Sequence, residues 1–204
     1  MELRSRLLSS VFERIDKDRQ ITVLDVGPAE PATVEFFSRY RCRLVFADLY
    51  SETALTEAAS GDISATELDV AFRSCLNYPS GTRFDICLLW DVLSYLPSPA
   101  VTAFSRALLP YLSATTAVHC FGTLKAANKM SGQRYSILRE DTLLLRPRAD
   151  EVFPPYPHSQ AALKSLLRQM DISKASLQSN GLLEILLEVL KNNGPVLASE
   201  FGSP

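Results

Sequence analysis

The run Ile21-Thr22-Val23-Leu24-Asp25-Val26-Gly27 is the most informative part of the chain about its fold. Its apolar and β-branched residues are typical of a buried strand, and Gly27 ends the run. Pro31 then suits the first turn of a helix, because the N–H that proline lacks has no partner there. A strand, a tight turn and a helix N-terminus together form the corner at which α/β proteins bind nucleotide cofactors. The stretch therefore predicts a cofactor site near Gly27.

Further strands and helices alternate along the rest of the chain. Residues 43–48 predict a second strand, residues 84–90 an almost uninterrupted apolar strand, and residues 114–121 another buried strand. Helical spacing or a capping residue predicts helices over residues 3–15, 31–40, 51–59, 99–109 and 159–170. This alternation is typical of a three-layer α/β fold with helices on both faces of a mostly parallel sheet.

The C-terminal part of the sequence predicts an antiparallel hairpin that closes the sheet. Asn180-Gly181 stands between the β-compatible runs 172–179 and 182–189. Asn-Gly favours a hairpin turn because both central residues of that turn adopt positive φ. A helix rich in leucine and glutamate over residues 182–191 is the alternative.

Residues 124–158 fit no regular part of this pattern. Structureless loops longer than about 15 residues are uncommon, so we expect local structure or a function here. The runs 135–139 and 142–146 predict a small hairpin within the segment, which also contains Arg134, Arg139, Arg146 and Arg148. A solvated face is the plain interpretation of these arginines, and an acidic substrate or partner is the sharper one. We expect a lid or substrate insertion within a single domain spanning residues 1–204.

The composition of the chain excludes several classes of protein. The 204 residues are 47% apolar and 22% charged with a net charge of −2, which excludes disorder and disfavours a nucleic-acid partner. No apolar run approaches the roughly 18 residues of a membrane helix, and the N-terminus lacks a signal-peptide pattern. We therefore expect a cytoplasmic protein with no membrane partner. The two histidines and four unpaired cysteines predict free thiols and no metal centre.

The loop after the first strand discriminates between cofactors. It reads Gly27-Pro28-Ala29-Glu30-Pro31 and lacks the further glycines that let a pyrophosphate approach the backbone. Its prolines remove two N–H donors, and Glu30 adds negative charge where phosphates would lie. Asp48 ends the second strand about 20 residues after Gly27, the spacing at which a carboxylate accepts hydrogen bonds from ribose hydroxyls. These features disfavour NAD, FAD and ATP and are compatible with an adenosine cofactor that has no phosphate.

The order of the motifs resembles that of class I S-adenosylmethionine-dependent methyltransferases. VLDVG at 23–27, FADLY at 46–50, FDICLLWDVLSYLP at 84–97 and the Asn-Gly hairpin follow the family's order. The resemblance covers about residues 15–125 and 172–190. It implies a Rossmann-like, mostly parallel seven-stranded sheet of order 3-2-1-4-5-7-6 with strand 7 antiparallel. It also implies S-adenosylmethionine as the cofactor.

The resemblance assigns a cofactor role to residues of the first two strands. Asp25 and Gly27 match the first fixed positions of the family's glycine motif, and Ala29 and Pro31 stand where its later glycines belong. Asp48 matches the acid that binds the ribose. We expect Asp25, Gly27, Ala29 and Asp48 to bind the cofactor, with Pro31 altering the path of the loop.

The resemblance also extends to the third and fourth strands. We predict strand 3 over residues 72–77, where no acid follows, so Asn77 is the candidate for contact with the adenine amine. Asp91 matches the position that faces the methionine moiety and the methyl group. Tyr95 lies close to it on the following turn and is a candidate catalytic residue.

The two histidines differ in their surroundings. His119 lies in a predicted buried strand, so a core histidine is its plain interpretation. His158 follows Pro157 in the irregular segment and is the candidate general base.

Two functions of different class remain open from the sequence. The first is methyl transfer from S-adenosylmethionine to a small molecule or a protein side chain. Nucleic-acid bases are disfavoured as acceptors, because no Asn-Pro-Pro-Tyr-like motif follows the fourth strand. The second is an inactive methyltransferase-fold protein that acts as an interaction or regulatory subunit, which the glycine-poor loop favours. A homo-oligomer and a complex with a protein partner both stay open.

Overall fold

The chain forms two β-sheets with helices packed around the larger one. A computed structural model describes residues 1–16, 18–60, 63–123, 132–148, 153–178 and 180–190. The strands are β1 (Glu2–Arg4), β2 (Ile21–Asp25), β3 (Cys42–Phe46), β4 (Ile86–Trp90), β5 (Ala117–Thr123), β6 (Gln133–Arg139), β7 (Thr142–Pro147), β8 (Met170–Leu177) and β9 (Leu182–Val189). The α-helices are α1 (Leu8–Phe12), α2 (Pro31–Phe37), α3 (Thr53–Ser60), α4 (Ala65–Cys75), α5 (Ser98–Leu108) and α6 (Gln160–Leu166). Short 3₁₀ helices cover Leu49–Ser51, Val92–Tyr95 and Leu109–Tyr111.

The larger sheet confirms the predicted α/β class. Its strand order is β3-β2-β4-β5-β9-β8. The strands from β3 to β5 are parallel, and β9 runs antiparallel to both of its neighbours. The predicted C-terminal hairpin is therefore confirmed, and the alternative helix is wrong because residues 182–189 form β9. Gly181 has a φ of 84° at the turn, a conformation that glycine adopts without a steric penalty.

The prediction of a strand over residues 72–77 is wrong, and the sheet has six strands in the described part of the chain. Those residues belong to α4 and the turn after it. The Ser64 hydroxyl accepts from the backbone N–H of Glu67, and the Glu67 carboxylate accepts from the N–H of Ser64. This reciprocal cap begins a helix. Apolar residues at helical spacing bury one face of that helix, namely Leu68, Phe72 and Leu76.

The N-terminal segment is also not the helix that its spacing predicts over residues 3–15. Residues 2–4 form β1, which pairs antiparallel with β7 and sets Leu3 opposite Leu143. Only residues 8–12 form a helix. The partner strand lies far along the chain, so a tertiary pairing overrides the local helical pattern.

The predicted small hairpin in the 124–158 segment is confirmed. β6 and β7 pair antiparallel and, with β1, form a separate sheet of order β1-β7-β6. The backbone N–H of Ile137 donates to Thr33 Oγ1 at 3.1 Å, so the hairpin contacts α2 near its first turn. Residues 124–131 and 149–152 of the expected lid lie outside the described residues.

A buried polar network joins the N-terminal segment, β5 and the C-terminal hairpin. Glu184 accepts hydrogen bonds from the Ser5 hydroxyl, from the Arg6 N–H at 2.8 Å and from Gln178 Nε2 at 2.6 Å. It also pairs with His119 Nε2 at 2.8 Å, so His119 is a core histidine. Burial raises the pKa of Glu184, but His119, Ser5 and Arg6 outweigh burial and lower this pKa to about 2. Glu184 is therefore an ionised carboxylate inside the core.

All four cysteines are free thiols. No helix in the ranges described above is long and apolar enough to cross a membrane.

Candidate functional site

The carboxyl ends of β2 and β3 bring Asp25, Gly27 and Asp48 close together. Asp25 is the last residue of β2, and its Oδ1 accepts the N–H of Gly27 at 2.8 Å, which fixes the turn. The N–H of Leu49 donates to the carbonyl of Val26 at 2.9 Å, so the residue after Asp48 is tied to this turn. Ser51 Oγ donates to Asp48 Oδ2 at 2.7 Å, and Oδ1 has no hydrogen-bond partner among the described residues. Asp48 thus offers a free acceptor beside Gly27.

Asp25 is a fully buried carboxyl group with an unusual pKa. Burial raises the pKa of Asp25 to about 7, against the opposing hydrogen bonds from Gly27 and Trp90. The negative charges of Asp48 and Glu30 raise it further. Asp25 therefore changes charge near neutral pH.

The indole of Trp90 covers Gly27. Trp90 has a φ of 47°, which is unusual for a bulky residue, and its Nε1 donates to Asp25 Oδ1 at 2.5 Å. A Cβ atom added to Gly27 would lie 3.2 Å from Trp90 Cδ1 and 3.2 Å from Asp25 Oδ1. A side chain at this position would therefore require the indole or the Asp25 carboxyl group to shift by a few tenths of an ångström.

Three tyrosine hydroxyls surround the buried carboxylate of Asp91. Tyr50 donates to Oδ1 at 2.5 Å, and Tyr95 and Tyr135 donate to Oδ2 at 3.1 and 3.3 Å. The Arg148 guanidinium lies 3.5 Å above the centre of the Tyr50 ring, a cation–π contact. Asp91 and the three tyrosines are all at most 3% exposed, so water is excluded from the cluster.

The charges and burial of this cluster determine which groups act as hydrogen-bond donors. Burial raises the pKa of Asp91, and the Tyr50 hydrogen bond and the Arg148 charge oppose that rise. Burial and the charge of Asp91 raise the pKa of Tyr50, Tyr95 and Tyr135. These phenols therefore stay protonated at neutral pH and act as hydrogen-bond donors.

The hairpin β6–β7 packs against Trp90 and Glu30 and so covers the site. The Tyr135 ring stacks on Trp90 with centroids 5.2 Å apart and planes 4° apart. It also stacks on Phe121 at 5.4 Å. Arg146 Nη1 lies 3.2 Å from Glu30 Oε2, which ties the same hairpin to the residue that precedes α2. The hairpin thus contacts both the glycine turn and the end of β4.

His158 lies on the segment 153–159, which packs against the 3₁₀ helix at 92–95. The Tyr156 N–H donates to the carbonyl of Ser94 at 2.7 Å, and Phe153 packs on Tyr95 with centroids 5.6 Å apart. His158 Nε2 lies 2.8 Å from the Leu96 carbonyl oxygen. Because a carbonyl only accepts, Nε2 carries a hydrogen, so Nδ1 is the nitrogen with the lone pair in the neutral form of the ring.

The structure separates Asn77 from the other candidate residues. Its neighbour Tyr78 packs on Phe84 and Tyr111, with ring centroids 5.2 and 5.1 Å away. Phe84 lies just before β4, so Asn77 lies near the amino ends of the parallel strands. Asp25, Asp48 and Asp91 lie at the carboxyl ends. Ala29, by contrast, is an exposed residue of the glycine turn itself.

Four residues that build this site were not predicted to contact the cofactor, although Arg148 was grouped with three other arginines of the 124–158 segment as a candidate contact for an acidic substrate or partner. Tyr50 and Trp90 stand within the quoted motifs, next to Asp48 and Asp91, so their position along the chain was a usable signal. Tyr135 and Arg148 gave no such signal, because their place depends on how the hairpin packs. In the described ranges, no group of three His, Cys, Asp or Glu residues is arranged to hold a metal ion.

Comparison with solved structures shows one recurring fold. An S-adenosylmethionine-dependent methyltransferase from Clostridium acetobutylicum matches with a TM-score of 0.50 at 12% identity, over 92% of this chain and 93% of that chain. A second match is 1,6-didemethyltoxoflavin-N1-methyltransferase from Burkholderia thailandensis, solved with 1,6-didemethyltoxoflavin and S-adenosylhomocysteine. Its TM-score is 0.50 at 14% identity, over 91% of this chain and 77% of that chain. A methyltransferase from Mesorhizobium loti has the same TM-score at 12% identity, over 88% of this chain and 95% of that chain.

Sequence comparison adds nothing to this result, since no protein-family model and no curated protein matches the chain. The strand order β3-β2-β4-β5-β9-β8 corresponds to the order 2-1-4-5-7-6, which is the family's sheet order with no counterpart of strand 3 among the described residues. The chain therefore has the fold of the class I S-adenosylmethionine-dependent methyltransferases.

Proposed function

We propose that this chain transfers a methyl group from S-adenosylmethionine to a small molecule or a protein side chain. The observation that carries the proposal is the position of Asp48. Its carboxylate stands beside the Gly27 turn, at the carboxyl ends of adjacent parallel strands. Open α/β sheets bind ligands at this edge, and a carboxylate at the second strand accepts hydrogen bonds from ribose hydroxyls.

The residues fit the cofactor differently at the two ends of the site. At the ribose end, Asp48 Oδ1 is a free acceptor within the described residues. Pro28 and Pro31 remove N–H donors from the turn, which suits a cofactor without phosphates. At the Gly27 end, the Trp90 indole fills the space above the glycine. A cofactor can occupy that end of the site only when the Trp90 indole has moved away from Gly27.

The chain's own residues would orient the reactants rather than activate them. The cofactor, when bound, supplies an electrophilic methyl group on a sulfonium sulfur. Asp48 holds the ribose, and Asp25 holds the turn through the Gly27 N–H. Tyr95, which stays protonated, keeps Asp91 oriented at the end of β4. Positioning of this kind supplies much of the rate of a group transfer.

His158 is the proposed general base for a hydroxyl acceptor. In the neutral ring Nδ1 would accept the proton, because Nε2 donates to the carbonyl of Leu96. An amine or thiolate acceptor would not need this residue.

Replacing Asp48 with asparagine is the test of the site. We expect S-adenosylhomocysteine to bind roughly 10–100-fold more weakly to Asp48→Asn, because hydrogen bonds to a charged acceptor contribute about 1.5–3 kcal/mol each. Isothermal titration calorimetry on the purified protein measures this difference. The matched control is Asp18→Asn, an exposed aspartate ahead of β2 at the opposite edge of the sheet. Equal affinity for wild type and Asp48→Asn would show that the ribose lies elsewhere.

A second candidate function is an interaction or regulatory subunit without catalysis. The observation that favours it is the filled space above Gly27, where Trp90 and Tyr135 pack against each other. Under this proposal the wild type and every site variant fail to bind S-adenosylhomocysteine at millimolar concentration. Binding in the same calorimetric experiment contradicts it.

A further inference from the structure

We infer that Trp90 and Tyr135 form a stopper in the cofactor site, which the amino-acid part of the cofactor must displace in order to bind. The inference rests on the proposed function. It adds that cofactor affinity is set by these two side chains as well as by Asp48. The term stopper refers below to the side chains of Trp90 and Tyr135 together.

The backbone of Trp90 turns its side chain into the site. The residue ends β4 with a φ of 47°, and the pairing of β4 with β5 shifts register between Leu88 and Trp90. The indole consequently lies over Gly27 and donates to Asp25 at 2.5 Å. An unfavourable backbone conformation in a bulky residue persists only where surrounding contacts hold it, and such residues cluster at functional sites.

Tyr135 supplies those contacts from the hairpin. Its ring lies nearly parallel to the indole, at 5.2 Å and 4°. Phe121 stacks against the same tyrosine at 5.4 Å and 16°. The Tyr135 hydroxyl reaches Asp91, so the stopper touches both buried carboxylates of the site.

The two carboxyl groups that the stopper contacts keep other hydrogen-bond donors when the stopper moves out of the site. Asp25 keeps the Gly27 N–H at 2.8 Å when the indole moves away. Asp91 keeps Tyr50 and Tyr95 at 2.5 and 3.1 Å, and the bond that it loses to Tyr135 is the longest of the three at 3.3 Å. Neither carboxylate is left without a donor. Displacement of the stopper is therefore compatible with an intact site.

Trp90 is the only tryptophan of the chain, so the tryptophan fluorescence of the protein reports on this movement. In the closed form, which is the structure with the stopper over Gly27, Trp90 is 1% exposed. Titration of the wild type with S-adenosylhomocysteine is expected to increase acrylamide quenching of the tryptophan fluorescence. The increase is expected to saturate at the affinity that calorimetry measures for the same sample.

The variant Trp90→Gly removes the larger part of the stopper. Glycine adopts a φ near 47° without steric penalty, so the variant keeps the local backbone. If the closed form outnumbers the open form by about ten to one, S-adenosylhomocysteine binds about tenfold more tightly to the variant. The control is Phe72→Ala, which removes a buried ring of α4 on the contact with Phe104 of α5. We expect this control to melt earlier and to bind with the wild-type affinity. Tyr135→Phe, which loses only the bond to Asp91, is expected to tighten binding by less than Trp90→Gly.

The outcomes separate the two proposals. Tighter binding by Trp90→Gly, or binding by this variant alone, supports the stopper. Wild-type binding with unchanged quenching of Trp90 overturns the stopper and leaves the cofactor assignment standing. If Trp90→Gly does not fold, the quenching experiment on the wild type still decides. Absence of binding by the wild type and by folded Trp90→Gly and Tyr135→Phe overturns the proposed function itself.

Discussion

Replacing Glu184 with alanine is expected to lower the free energy of unfolding by about 3–5 kcal/mol. Glu184 is the acceptor for Ser5, Arg6 and Gln178 and the partner of His119, and it has no exposed side-chain surface. Without it, His119 and several N–H and O–H donors stay buried without a partner. Whole-domain stabilities are about 5–15 kcal/mol, so this loss is a large fraction of the total. For a chain of this size, we expect the melting temperature to fall by roughly 6–20 °C.

Two further variants show that the loss comes from burial of the network. Glu188→Ala removes a second glutamate of β9 that is exposed, and it is expected to change the stability by less than about 0.5 kcal/mol. The double variant His119→Leu with Glu184→Leu removes both members of the pair, and we expect it to recover only the part of the stability lost through the unpaired His119, since Ser5, Arg6 and Gln178 still lack their acceptor. A melting temperature of Glu184→Ala equal to that of the wild type would contradict the network.

The stability of the protein is expected to depend on pH through Asp25. Burial raises the pKa of Asp25 from 3.8 to about 7 in the folded chain. Between these two values the folded protein holds a proton that the unfolded chain has released. The contribution of Asp25 to stability is therefore complete below pH 4 and is lost as the pH rises to 7. At about 1.4 kcal/mol per pH unit, the loss approaches about 4 kcal/mol.

The variant Asp25→Asn isolates this contribution, because an amide does not titrate and its oxygen still accepts the Gly27 N–H. Urea denaturation at pH 4, 5, 6, 7 and 8 gives the free energy of unfolding of both proteins. We expect the stability of the wild type relative to Asp25→Asn to decrease up to pH 7 and to level off above it. A difference that is independent of pH would show that Asp25 keeps an ordinary pKa in the fold.

Features that depend only on neighbouring residues could be predicted from the amino-acid sequence. The apolar run at 84–90 gave β4, and Asn180-Gly181 gave the closing hairpin, because strand periodicity and positive φ are local properties. The turn at Gly27 and the acid at Asp48 were predicted in the same way. The capping box at Ser64 and Glu67 was equally local, and its helical signal contradicts the strand that we predicted over residues 72–77.

The side chains that cover the site are brought together by long-range packing. β1 forms because β7 offers it a partner from far along the chain, although its own spacing is helical. The rings of Trp90 and Tyr135 meet because the hairpin packs across the ends of β4 and β5, contacts that join residues more than 40 positions apart. Such contacts depend on the packing of whole elements, so no local pattern encodes them. The sequence thus located the corner that we propose for the cofactor, and the packing of the hairpin determined that Trp90 and Tyr135 cover it.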